Sequence, residues 1–107
     1  MARRPKFTIH YAPAVYDHVD WIERKYHRLI AETIKEQLSH TPEAETKNRK
    51  PFEDPSSFGA TWELRFGPKN SFRVFYEVDR AARIVTVLAL GVKEGNLLFI
   101  SGEEFKP

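Results

Sequence analysis

Arg65, Arg73 and Lys93 are the residues of this 107-residue chain whose types and spacing suit chemistry on an anion. Residues 62–66 and 72–78 each alternate apolar and polar side chains, the period of a pleated strand whose successive side chains leave on opposite faces. When the two apolar faces are made to coincide, Trp62 lies opposite Tyr76, Leu64 opposite Val74 and Phe66 opposite Phe72, with residues 67–71 as the loop. Arg65 then falls across from Arg73, and Glu63 across from Phe75. Like charges opposed on a sheet repel each other unless an anion lies between them, and guanidinium groups bind phosphate oxygens in pairs. Lys93, after the next strand, converges on the same face. The preceding loop adds Lys47, Arg49 and Lys50 as a cluster that could contact phosphates. Spacing alone leaves a plainer reading open, in which these cations are solvated and paired with Glu63, Glu77 and Glu94, and the loop is a mixed-charge surface segment.

Other chemistries find no support in the pattern. His10, His18, His27 and His40 have no paired ligand spacing and read as surface or helix-face residues, so no metal site is expected. Gly91 and Gly95 lack the lysine and hydroxyl residue of a phosphate loop and read as turn glycines. Ser71 and Ser101 have no neighbouring base and no nucleophile elbow around them. The absence of cysteine removes thiol nucleophiles and disulfides, in keeping with a reducing compartment. With 17 basic and 15 acidic residues the formal net charge is +2, so any contact with nucleic acid must come from local clustering. Arg3, Arg4 and Lys6 form a basic run that reads as a solvated tail. No secretion signal and no stretch long enough to cross a bilayer are visible, so a cytoplasmic protein is expected.

The elements that must position these cations follow from periodicity. Residues 6–11 alternate Phe7, Ile9 and Tyr11 with polar neighbours and read as a first strand. From Pro13 the apolar spacing becomes three and four, through Val15, Val19, Ile22, Tyr26, Leu29, Ile30, Ile34 and Leu38. That pattern fits one amphipathic helix of roughly 40 Å, or a helical pair broken somewhere in residues 18–26. Residues 40–59, with Pro42, Pro51 and Pro55, read as a long structureless loop. Residues 83–91 are almost continuously apolar and read as a central strand covered on both faces, joined to the second strand by a turn that pairs Asp79 with Arg83 and sets Arg73 beside Ala89. A turn at residues 92–96, a short apolar strand at 97–100 and a loose tail at 101–107 complete the chain. The expectation is a single α+β domain spanning residues 1–107: an N-terminal strand, a long helix or helical pair, and an antiparallel meander.

The run WELRFGPKNSFRVFYEVDRAARIVTVLALGVKEGNLLF, residues 62–99, resembles the core of the RelE/ParE toxin superfamily, in which a strand, a turn, an R-V-x-Y strand and an apolar strand ending in G-x-K follow one another. The resemblance implies the RelE-like toxin of a type II toxin–antitoxin pair, partnered by an antitoxin and acting on mRNA in the ribosome as a metal-free, cofactor-free endoribonuclease. It also implies two alternatives, a ParE-like inhibitor of DNA gyrase and a degenerate member that binds without cleaving. On the nuclease reading Arg73 stabilises the phosphorane, Arg65 orients the phosphate, and Lys93 donates a proton or binds phosphate. Lys47, Arg49 and Lys50 then contact RNA. Two positions depart from RelE: a lysine on the first meander strand is Glu63 here, a possible base or an ion-pair partner for Arg65, and a C-terminal tyrosine is Phe99, which can stack on an RNA base but cannot transfer a proton.

Overall fold

The structure, a computed structural model, describes residues 6–53 and 59–106. Arg3, Arg4 and Pro55 lie outside the described residues. The element order is β1 (Thr8–Tyr11), α1 (Ala14–Asp20), a 3₁₀ turn (Arg24–Tyr26), α2 (His27–Leu38), β2 (Arg49–Pro51), β3 (Trp62–Phe66), a short turn (Pro68–Asn70), β4 (Phe72–Asp79), β5 (Ile84–Glu94), β6 (Leu97–Ile100) and β7 (Glu103–Glu104). The strands form one sheet in the order β2-β3-β4-β5-β6-β7, antiparallel throughout, and β1 joins β5 in parallel. The architecture is α+β, with both helices packed on one face of the sheet.

Of the two helical readings, the pair broken within residues 18–26 is the one formed. A continuous helix would approach the 45 Å longest dimension of the whole molecule. The break after α1 instead lets Val15 and Ile22 reach the same core as Ile30, Ile34 and Leu38. Glu23 takes an extended backbone at the break, and the His27 Nε2–H donates to the Ile22 carbonyl at 2.8 Å, closing it. Ile30, Ile34 and Leu38 repeat every four residues, so one stripe of α2 lies on Leu64, Val74, Tyr76, Val85 and Val87. The Tyr76 hydroxyl, buried there, donates to the Pro42 carbonyl at 2.6 Å.

The meander has the register that alternation predicts. Trp62 pairs with Tyr76, Glu63 with Phe75, Leu64 with Val74, Arg65 with Arg73 and Phe66 with Phe72. Beyond it four expectations are corrected. Asp79 pairs with Ile84 rather than Arg83, and a bulge at Leu88 shifts the register, so Arg73 sits opposite Gly91 and Phe75 opposite Ala89. The loop of residues 40–59 contains β2, whose Arg49, Lys50 and Pro51 pair with Leu64, Glu63 and Trp62 at the sheet edge, where a proline is tolerated. β5 runs on through Lys93 to Glu94, so Lys93 is a strand residue and the turn tightens to Gly95 and Asn96. Part of the expected tail pairs as β7 with Phe99 and Ile100.

Candidate anion site

The face of the sheet turned away from the helices carries Glu63, Arg65, Arg73, Gly91 and Lys93. Their order follows from the period of two along each strand and the pairings Arg65 with Arg73 and Arg73 with Gly91. Arg73 is not solvated, as the plainer reading of these cations has it, although it does pair with Glu63. It is buried, 9% exposed, its Nε donates to the Asn70 carbonyl at 3.1 Å and its Nη1 reaches Glu63 Oε1 at 3.2 Å. Arg65 Nε donates to that same carboxylate oxygen. The anion between the two opposed arginines is therefore supplied by the chain itself, from Glu63, a position that sequence reading left as either base or partner. Burial lowers the affinity of the Arg73 guanidinium for its proton, Glu63 raises it and Arg65 lowers it again, but a guanidinium stays charged at neutral pH.

Gly91, across from Arg73, makes room for the close approach of β6. A Cβ at that position would stand 2.9 Å from Leu98 Cδ1 and 3.0 Å from the Phe99 carbonyl oxygen. Next to the ion group, the Pro68–Asn70 turn and the end of β5 enclose an open recess of about 590 Å³, lined by Lys69, Asn70, Ser71, Arg73, Lys93 and Glu94 among others. The Lys93 N–H donates to the Ser71 carbonyl at 2.7 Å, tying β5 to the turn. Three cations thus border one cavity. Lys69 was missed in the sequence because a lysine in a turn reads as solvated.

The remaining predicted residues are distributed elsewhere. Arg49 is 7% exposed, and its Nη1 donates to the Gln37 carbonyl at 2.6 Å and the Thr41 carbonyl at 2.7 Å, at the C-terminal end of α2 where backbone carbonyls are left without helical partners. The basic cluster of the loop is therefore not presented as a unit: Arg49 points inward, Lys50 lies 3.4 Å from Glu45, and Lys47 is exposed. Phe99 pairs with Val92, so it lies on the helix side of the sheet, across from the arginines. There it lines a second cavity of about 460 Å³ with His18, Trp21, Tyr26 and Phe72. His18, which read as an ordinary helix-face residue, accepts the Leu90 N–H on Nδ1 at 3.1 Å, filling the stretch of the β5 edge left between β1 and β6. Burial lowers its pKa, against a smaller opposing effect of Asp17. Among the described residues no group of three or more histidines and carboxylates is placed to hold a metal ion, and no helix is long and apolar enough to cross a membrane.

These features define the class: an α+β domain with a RelE-like fold. A solved structure with this fold is the RelBE2 toxin–antitoxin complex of Mycobacterium tuberculosis, one chain of which superposes with a TM-score of 0.66 at 17% identity, covering 82% of this chain and 99% of that one. No protein-family model and no curated protein sequence matches the chain.

Proposed function

We infer that the chain is the toxin of a type II toxin–antitoxin pair and acts on ribosome-bound mRNA, cleaving it in the recess between the Pro68–Asn70 turn and β5. The observation that carries this reading is the convergence of Arg73, Lys93 and Lys69 on one open cavity, with Arg65 adjoining, on a fold shared with a component of a toxin–antitoxin complex. In the reaction the 2′-oxygen attacks the adjacent phosphorus, the bond to the 5′-oxygen breaks, and a 2′,3′-cyclic phosphate and a 5′-hydroxyl result. Arg73 and Lys93 stabilise the added negative charge of the phosphorane. The Lys93 ammonium gives the leaving 5′-oxygen its proton. Glu63 is committed to two guanidiniums and acts as a positioning residue. Glu94, the carboxylate that lines the recess, takes the proton of the 2′-hydroxyl. Lys47 and Lys50 contact RNA outside the recess, and an antitoxin covers the protein when it is inactive.

A second reading rests on Glu63 itself. A carboxylate that neutralises much of the arginine pair weakens phosphate binding, which favours a toxin that binds its target without cutting it. Incubation of the purified chain with ribosomes carrying a defined mRNA separates the two. Cleavage yielding 5′-hydroxyl ends, reduced at least about a hundredfold in Lys93→Ala, is the expected result. Intact mRNA on ribosomes that nonetheless hold the chain would establish the second reading.

A further inference from the structure

The cavity on the helix side of the sheet is built unlike the recess, yet the two are contiguous. Pro68, Ser71, Val92 and Glu94 line both. The recess has Lys69, Arg73 and Lys93 in its wall, whereas no lysine or arginine lines the groove among the described residues. The groove instead carries aromatic rings: Trp21, 67% exposed, then Tyr26 packed edge-on against Phe72 at 5.2 Å, and Phe99. Trp21 is held over Gly102, where a Cβ would come within 2.6 Å of the indole, so the ring has a fixed seat rather than a free surface position. Glu23, whose Oε2 lies 3.5 Å from the Lys25 ammonium and whose Oε1 is left to accept, and Glu94, which it shares with the recess, bring carboxylates to the groove wall. Because His18 Nδ1 is taken by the Leu90 N–H, the neutral imidazole carries its proton on Nε2 and is a donor.

Resting on the reading of the recess as a phosphate site, we propose that the groove holds an unpaired nucleobase of the strand whose phosphate occupies the recess. The charge pattern sets the orientation. Lys69, Arg73 and Lys93 line the recess and, among the described residues, no lysine or arginine lines the groove, so the phosphate end faces Arg73 and Lys93 and the base end faces Trp21 and Phe99. Aromatic faces stack any base, while a wall offering the Glu23 carboxylate as acceptor and the His18 imidazole as donor suits guanine, which presents an amino group, a ring N–H and acceptors together, better than thymine or uracil.

The test uses the purified full chain and NMR, with the two tryptophan indole signals read separately. Trp62, stacked on Tyr76 at 6.2 Å, serves as the internal reference for Trp21. The probes are 2′-deoxytrinucleotides, which cannot be cleaved by 2′-hydroxyl attack: all-guanine, all-thymine, and one with an abasic centre. Inorganic phosphate is added as a fourth. The all-guanine probe is expected to shift Trp21 and to bind at least about fivefold more tightly than the abasic one, a difference that Trp21→Ala and Phe99→Ala each reduce while leaving phosphate binding unchanged. Phosphate binding that Lys93→Ala abolishes, together with equal affinities for the guanine and abasic probes and an unmoved Trp21, overturns the base site and leaves the recess standing. Guanine and thymine probes bound equally tightly overturn the role of the carboxylate wall. Loss of all binding, phosphate included, refutes the recess reading itself. A Trp21 that ignores every probe and shifts only with an antitoxin segment assigns the groove to protein and refutes the proposal.

Discussion

Replacing Glu63 by glutamine keeps the shape of the side chain and removes the charge that lies between Arg65 and Arg73. The Glu63 and Arg73 side chains are 10% and 11% exposed, while Arg65 is 41% exposed. Removing one partner of a fully buried ion pair costs about 3–5 kcal/mol, and an exposed pair is worth at most about 1 kcal/mol. With one arginine buried and the other half in water, a loss of roughly 2–3 kcal/mol is expected for Glu63→Gln, part of it repulsion between guanidiniums on directly paired residues. For a domain of this size that corresponds to a fall in Tm of about 10–15 °C. Because the missing charge can be supplied from solution, sulfate or phosphate should restore part of the loss, and stability should rise more steeply with anion concentration in the variant than in the parent. Thermal melting across a sulfate series at constant ionic strength measures both effects. A variant as stable as the parent, or one whose deficit is the same at every sulfate concentration, would refute the claim that Glu63 is the anion holding the arginine pair together.

Further outcomes follow from the same geometry. Arg49→Leu should cost about 2–3 kcal/mol in urea unfolding, by leaving the Gln37 and Thr41 carbonyls without their donor, and should not alter the salt dependence of ribosome binding. The pair Lys47→Ala and Lys50→Ala should do the opposite, changing stability by less than about 0.5 kcal/mol while flattening that salt dependence. Tyr76→Phe should destabilise by about 1–3 kcal/mol, since the Pro42 carbonyl loses its buried partner. His18 has its pKa below the ordinary 6.5 in the folded chain, so its contribution is fully present above about pH 6.5 and is lost as pH falls through the lower native value. Urea unfolding between pH 5 and pH 8 should show that decline, and His18→Ala should flatten it.

The parts of the fold legible in the sequence are those where one physical rule acts alone. Alternation in residues 62–66 and 72–78 determines which face is apolar, and the five-residue register follows from matching faces, so the opposition of Arg65 and Arg73 could be read directly. Alternation fails in the apolar run of β5, where neither the one-residue shift at the turn, which pairs Asp79 with Ile84, nor the bulge at Leu88 leaves a trace, and the two together move the partner of Arg73 two residues, from Ala89 to Gly91. β2 was hidden because Arg49, Lys50 and Pro51 have a loop composition and are held as a strand by the β3 edge alone. The inward turn of Arg49 depends on the end of α2 lying above β2, a tertiary fact with no local signal. His18 likewise gains its meaning from a gap in the β5 edge, 72 residues away. Glu63 is the instructive case: its position on the arginine face was legible, but not that its carboxylate would bridge both guanidiniums.

The central claim, that the cationic recess acts on mRNA in the ribosome, is tested most directly by inducing the chain alone in growing cells and mapping mRNA 5′ ends genome-wide. The account predicts new 5′-hydroxyl ends inside codons of translated messages, lost in Lys93→Ala produced at the same level, with no DNA-damage response. Intact messages accompanied by a DNA-damage response would contradict it and turn the protein toward a gyrase-directed toxin.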